Sequence, residues 1–244
     1  MDMAFGTIQA WSVFRNPLME VCSWTISEVT FAYTLPNQGV SRSYTLLESL
    51  RTWQLYALFG LMFLNAMAGL GLVSQAAPMA QEITGVDVLR AGGMVGLMAF
   101  AYAVGRFSWA WFSDQIGRKW SFAALFLIQA VVFGVLPLVA CFAVFSTLAI
   151  TAFLCHGGVV GVMPAFLADS LGPDHVGSLF GLTIVAQAVG GVLGPMLQAV
   201  LRESTGTYAP ALATIVVLMI VATSVSVGFR PLGLSGKLIE RNSR

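Results

Sequence analysis

From Trp53 onward, long apolar runs are interrupted by isolated charges, and each uncharged run is about as long as a helix that crosses a bilayer. Between Trp53 and Gln81 there is no Asp, Glu, Lys or Arg; Ala91 to Ser113 holds one charge, Arg106; Trp120 to Ala168 holds none. Val176 to Leu201 and Ser204 to Phe229 are again free of charge. A hydrocarbon core about 30 Å thick needs roughly 20 apolar residues of helix at 1.5 Å each. The run from Trp120 to Ala168 is long enough for two crossings, with a turn near 137–143. The pattern therefore predicts an all-α membrane protein with six spans, over 54–75, 91–112, 120–138, 143–167, 177–200 and 209–229, forming one bundle at 54–229.

Composition supports this class and removes others. Of the 244 residues, 57% are apolar and 9% charged, against about 25% charged in a soluble domain. A formal net charge of +1 offers nothing to neutralise a run of phosphates, so no nucleic-acid partner is expected. Cys22, Cys141 and Cys155 are odd in number and widely spaced, which suits neither a disulfide framework nor a clustered metal site. No metal or cofactor is expected.

Lys and Arg in short loops set orientation. If the first span runs from inside to outside, the inner segments hold Arg42, Arg51, Arg118, Lys119, Arg230, Lys237, Arg241 and Arg244, and the outer ones only Arg90 and Arg202. The expectation is a multi-pass protein of the plasma or inner membrane, with a cytoplasmic linker at 36–53 and a cytoplasmic tail at 230–244. Residues 1–35 fit less simply. Met3 to Phe14 is too short to span, Arg15, Glu20 and Glu28 follow, and the next apolar stretch ends at Pro36. This N-terminal segment is expected to contribute no crossing or two distorted ones, and does not read as a secretory signal.

The turn after the second span carries Ala110-Trp-Phe-Ser-Asp114-Gln-Ile-Gly117-Arg118-Lys119. An acid at a helix end, a glycine for a tight turn and two cations beside anionic headgroups have a physical logic of their own. The text also resembles the loop motif of the major facilitator superfamily, G-x-x-x-D-R/K-x-G-R-K/R, with Ala110 and Gln115 as departures. Asn65-Ala-Met-Ala-Gly69-Leu-Gly71 with Gln75 and Pro78 looks like the seventh helix of the oxalate/formate antiporter family within that superfamily. Gly181 to Pro195, through Gln187, Gly190 and Gly194, looks like its eleventh. Ala10-Trp-Ser-Val-Phe14, Pro17-Leu and Trp24-Thr-Ile-Ser resemble its first helix and the following loop.

On this resemblance, residues 1–35 match the opening of a twelve-helix carrier and 45–244 its second half, joined near Leu35-Pro36. Such carriers hold substrate near the midplane between two six-helix halves. The resemblance thus implies a shortened secondary transporter of small carboxylates such as formate, oxalate or another monocarboxylate, working by exchange or proton coupling. The alternative is a non-transporting fragment or subunit. Expected partners are a small organic anion, the lipid bilayer, and either a second copy or a complementary six-helix half.

Arg106 is the sharpest candidate. A charge within a span costs about 2.5 to 3.5 kcal/mol on insertion scales. Tyr102 and Trp109 lie four before and three after it, on the same helical face, offering a hydroxyl and an aromatic surface. Binding of a substrate anion and snorkelling to the interface are both open to it. In the oxalate branch the eleventh helix looks to carry a lysine where this chain has Gln187; one cation suits one carboxylate, which favours a monocarboxylate. Gln187 serves equally as an interhelical hydrogen-bonding group. His156, before Gly157-Gly158, is a candidate for proton coupling, although packing against a neighbour is the commoner role. Asn65 is a buried-polar candidate for substrate contact, beside Gln75 and Gln129. Small-residue pairs at Gly92/Gly96, Ala101/Gly105, Gly157/Gly161, Gly177/Gly181 and Gly190/Gly194 are expected to be helix contacts. An enzyme is not expected: Asp114, Asp169 and Asp174 fall in turns, and no nucleophile or metalloprotease motif is present.

Overall fold

The computed structural model describes residues 43–230, and within them every regular element is helical. In chain order these are α1 (Leu46–Ser49), α2 (Trp53–Thr84), α3 (Val88–Ile116), α4 (Arg118–Val135), a 3-10 turn at Leu136–Leu138, α5 (Phe142–Leu171), α6 (Val176–Thr205) and α7 (Ala209–Gly228). The six long helices are each long and apolar enough to cross a membrane, and correspond one to one with the six predicted spans. The expectations for residues 1–35 and for the tail beyond Arg230 lie outside the described residues.

Four of the six long helices, α2, α3, α5 and α6, outrun the predicted spans at both ends. α2 continues to Thr84 rather than stopping near 75, a length of roughly 48 Å. Bilayer thickness sets only the apolar part of a span, whereas the helical ladder runs on until something ends it. Here Gly85 does so, in a left-handed conformation at φ 69°. The opposite extreme is the junction of α3 and α4. Gly117 alone separates them, at φ 94° and ψ 142°, a combination that strains any residue with a side chain. Pro78, Pro164 and Pro195 lie within α2, α5 and α6.

The described residues fall into two compact units. The larger comprises Tyr56–Phe166 with Leu182–Phe229. Its interior is apolar: Leu58, Leu61, Met62 and Leu72 of α2, Phe122, Phe126 and Phe133 of α4, Phe145 and Phe166 of α5, and Ile215 and Met219 of α7 are buried. Phe122 and Phe166 meet edge to face at 5.0 Å between ring centroids, and Phe166 meets Phe229 likewise at 4.8 Å. Because lipid is as apolar as these side chains, close packing rather than escape from water holds such a bundle together.

Glycine makes that packing possible between particular pairs. A methyl group on Gly105 would overlap the carbonyl of Leu154; on Gly157, that of Tyr102; on Gly161, that of Arg106. α3 and α5 therefore touch backbone to backbone. α2 and α6 do the same, Gly190 against the carbonyl of Phe63 and Gly194 against that of Met67. The expectation for Gly92/Gly96 is corrected, since neither has an atom within 4 Å of where its side chain would be; Gly181 is equally open. Spacing alone cannot distinguish a face turned to a neighbour from one turned away.

The smaller unit contains described residues 43–55, 167–181 and Arg230. Thr45 opens α1 with a capping box, its side chain accepting from the Glu48 amide while the Glu48 carboxylate accepts from the Thr45 amide at 2.9 Å. The Tyr44 amide donates to the Leu171 carbonyl at 2.9 Å, beside Gly172, whose φ of 96° turns the chain out of α5.

Burial is uneven. Of their most apolar 18 residues, α3 and α6 bury 28% and 22%, against 56% for α2, α4 and α5. Along α3 the exposed positions Leu97, Phe100, Val104, Phe107 and Trp111 recur at helical spacing, marking one open face. Arg106 is also exposed.

Candidate functional site

The open side of α3 carries a pocket of about 420 Å³ lined by Tyr102, Ala103, Arg106, Phe107, Ala110 and Gly161. Five of these come from α3 and one, Gly161, from α5. The pocket exists because Gly161 adds no side chain where α5 meets the Arg106 backbone. Within it the Arg106 guanidinium carbon stands 5.7 Å from the centroid of the Tyr102 ring, inside the range of a cation–π contact. A fixed cation beside an aromatic face, in a cleft walled by apolar atoms, suits a small anion with an apolar flank.

Behind Tyr102 the polar file continues inward. The Tyr102 and His156 rings lie 5.4 Å apart between centroids, and Phe153 completes the cluster at 5.5 Å from Tyr102 and 5.3 Å from His156. His156 is 1% exposed and Asn65 fully buried. The Asn65 Nδ2 donates to the His156 backbone carbonyl at 3.2 Å, tying α2 to α5. The imidazole lies over Gly69 of α2, where any side chain would collide with it. Two polar atoms in this cluster, Asn65 Oδ1 and His156 Nδ1, are buried without a hydrogen-bond partner, an uncommon state in native structures.

Four predicted residues, Arg106, Tyr102, His156 and Asn65, thus form one file from the open pocket into the bundle. Trp109 does not join them. Its indole lies over Gly158 of α5 beside Leu125 of α4, because a large flat side chain fills the space that glycine leaves. Gln187 is half-buried on α6 and is not among the residues lining the Arg106 pocket.

The loop motif assembles separately at the α3–α4 junction. Arg118 pairs with Asp114, donates to the Ser113 hydroxyl, and reaches the Ala110 carbonyl at 3.5 Å. Gly117 supplies the turn that brings Arg118 back over the end of α3. Lys119 stands 5.5 Å from the Trp120 ring centroid, a cation and an indole together as interfacial anchors commonly are.

Sequence reasoning missed a second polar cluster. Arg202 of α6 binds the Glu82 carboxylate of α2 at 2.6 Å and stands 5.1 Å from the Tyr208 ring centroid. The Tyr208 hydroxyl donates to Gln75 Oε1 at 3.4 Å. Burial raises the Tyr208 pKa above its usual value, and the Glu82 carboxylate pushes the same way. Arg202 had been readable only as a loop charge, since its partner lies 120 residues away. Deeper in the bundle, Gln198 of α6 and Gln129 of α4 are fully buried with neither amide atom partnered.

Among curated proteins, the chain is 28% identical over 162 residues to an uncharacterized MFS-type transporter, YhjX, of Escherichia coli K12, covering 64% of this chain and 39% of that protein. It is 28% identical over 162 residues to the oxalate:formate antiporter of Oxalobacter formigenes, covering 65% of this chain and 38% of the relative. With apicoplast pyruvate carrier 1 of Toxoplasma gondii it shares 29% over 189 residues, 73% of this chain and 34% of the carrier. The chain therefore spans well under half the length of these relatives. The family model of the Major Facilitator Superfamily matches residues 58–239. That match takes in all six long helices from the first turns of α2 onward and covers more than half of the polypeptide, which is thus an integral, multi-pass member of the Major Facilitator Superfamily.

Proposed function

We propose that this chain forms one wall of a carrier for small carboxylates, in which Arg106 is the anion anchor. The observation that carries the reading is the pocket on the open face of α3, where a guanidinium and a tyrosine ring share a cleft otherwise lined by apolar atoms. Two relatives support the substrate class by their names, one an oxalate:formate antiporter and one a pyruvate carrier. With an amide at Gln187, Arg106 supplies the one cation of the proposed site, and a monocarboxylate matches that charge better than oxalate does. Asp114, Gly117, Arg118 and Lys119 hold the α3–α4 turn and take no part in binding.

The pocket opens on a weakly buried face, and the chain covers 34–39% of these three relatives. Both facts favour a second wall, from another copy or a complementary half, as a requirement for transport. On that reading the chain alone binds anion without moving it. The positive-inside bias supports a cytoplasmic side for the α3–α4 turn and the C-terminal tail.

Binding of formate, pyruvate and oxalate to the purified chain in nanodiscs tests the proposal directly. Loss of one charge-assisted hydrogen-bonding group corresponds to about 1.5–3 kcal/mol, so Arg106→Ala should weaken monocarboxylate binding by roughly ten- to a hundredfold, and Arg106→Lys by less. Equal binding by the Ala variant would exclude Arg106 as the anchor.

A further inference from the structure

We infer that the second wall is another copy of this chain, seated so that α6 of each copy lies along α3 of the other and closes its Arg106 pocket. For the role of the closed pocket this rests on the carboxylate-binding reading. Contacts within the bundle fix the order of four helices. α3 touches α5 through Gly105 and Gly157, Asn65 of α2 donates to the His156 carbonyl of α5, and α2 touches α6 through Gly190 and Gly194. The row is therefore α3–α5–α2–α6, with the two weakly buried helices at its ends. Two identical subunits most often pair about a twofold axis, and copies inserted with the same side inward place that axis along the membrane normal. A half-turn about it brings α3 of each copy to α6 of the other. The two helices meet antiparallel, because α3 and α6 are an odd number of crossings apart.

The two faces match in spacing, size and height. Gly92, Gly96, Ala99 and Ala103 are exposed along α3, and Val189, Leu193, Met196 and Val200 along α6. Both series step by four, three and four residues, the spacing of a seam between paired helices. One series is all small and the other all large, so the side chains of one fill the groove left by the other. Nothing within the chain lies within 4 Å of a side chain built at Gly92 or Gly96. Val88 opens α3 and Thr205 ends α6, on the same side of the membrane. Counted inward from those ends, Gly92 stands at 4 and Val200 at 5, Gly96 at 8 and Met196 at 9, Ala99 at 11 and Leu193 at 12, Ala103 at 15 and Val189 at 16.

Charge selects this pairing over α3 against α3, which would set two Arg106 guanidiniums on one seam with no carboxylate from Val88 to Ser113. α6 brings no charge from Val176 to Leu201. The α3 seam runs on past Arg106 to Ala110, and both line the pocket together with Ala103. On α6 the next exposed residue of the seam, Val185, falls at 20, between Arg106 at 18 and Ala110 at 22. Val185 of the partner subunit thus roofs the pocket. Phe100, Phe107 and Trp111 flank the α3 seam and are largely exposed. Aromatic side chains cover about 150–250 Å² each, so two such faces, with the two α6 seams, reach the roughly 1,200–2,000 Å² of a stable interface.

Crosslinking of the full chain in native membranes tests the register. Two differently tagged copies, both Cys22→Ser/Cys141→Ser with Cys155 left buried, are co-expressed, one with Gly96→Cys and the other with Met196→Cys, and oxidised with copper phenanthroline. A disulfide-linked dimer bearing both tags is expected, whereas Gly96→Cys with itself or with Val185→Cys should give none. Stepwise photobleaching of a dye on Cys141 of the Cys22→Ser chain, diluted in lipid, should count two chains per particle. Gly96→Trp, which meets open space in the single chain, should reduce dimers roughly tenfold. It should also weaken pyruvate binding about tenfold, because water then enters the pocket and screens the guanidinium. Single-chain counts in the unaltered protein, or Gly96→Cys linking to itself, would overturn the dimer, and the Arg106 anchor would still stand if Arg106→Ala loses pyruvate. A monomeric Gly96→Trp that binds pyruvate as tightly as the dimer would overturn the roof. Crosslinks in register with pyruvate binding indifferent to Arg106→Ala would keep the dimer and overturn the carboxylate site.

Discussion

The backbone carbonyl of Arg106 lies so close to Gly161 that a methyl group there would overlap it. The contact sets where the guanidinium can go, because α3 is seated on α5 directly beneath it, and Gly161 is also part of the pocket wall. A side chain at 161 must therefore both push the helices apart and fill the site. Gly161→Val should destabilise the bundle by about 1–3 kcal/mol, the usual cost of overpacking, and weaken anion binding, as thermal unfolding in detergent and a binding isotherm would measure. Gly96→Ala is the matched control: nothing lies near it, and replacing a mid-helix glycine should stabilise by about 0.5–1 kcal/mol.

The α3–α4 turn makes a second prediction. Gly117 sits at φ 94°, so Gly117→Ala should cost about 1–2 kcal/mol through backbone strain alone. Asp114→Asn should cost no more than about 1 kcal/mol, since the carboxylate that pairs with Arg118 is 60% exposed and water screens it. Thermal unfolding of the two variants should rank them in that order.

Glu82 and Arg202 join α2 to α6 near their chain-distal ends. Their side chains are 38% and 32% exposed, so a double-mutant cycle with Glu82→Gln and Arg202→Gln should give a coupling of up to about 1 kcal/mol that shrinks at high salt. A coupling that does not respond to salt would mean the pair acts through packing instead.

Tyr208 supplies a pH dependence. Its folded pKa is raised, first by burial and then by Glu82, so the folded state holds this proton more tightly than the unfolded chain does. The associated stability is present below the unfolded tyrosine pKa of about 10 and is lost as pH rises through the folded value. Unfolding measured on the alkaline side should show this loss, and Tyr208→Phe should remove it.

Cys141 tests orientation. It is exposed in the turn between α4 and α5, one span beyond Gly117, whereas Cys155 is buried. A membrane-impermeant maleimide added to intact cells expressing a Cys22→Ser variant should label Cys141 if the α3–α4 turn is cytoplasmic. Labelling only after the cells are opened would reverse the orientation.

The number, order and approximate centres of the six helices were legible in the sequence. A bilayer imposes a length scale, and Asp, Glu, Lys and Arg mark its edges at positions such as Glu82, Arg118 and Arg202. The motif at Asp114, Gly117, Arg118 and Lys119 was legible too, because its contacts are local, within eight residues of one turn. What the sequence could not supply was which glycines touch a neighbour, since Gly96 and Gly161 look alike at helical spacing and differ only in the direction each helix turns. Nor could it place Trp109 on Gly158 instead of beside Arg106, pair Glu82 with Arg202, or bring Asn65, Tyr102 and His156 from three helices into one file. Those relationships depend on the rotation of each helix about its axis, and in an environment as apolar as lipid that rotation is fixed by close packing between distant segments rather than by any pattern within one of them.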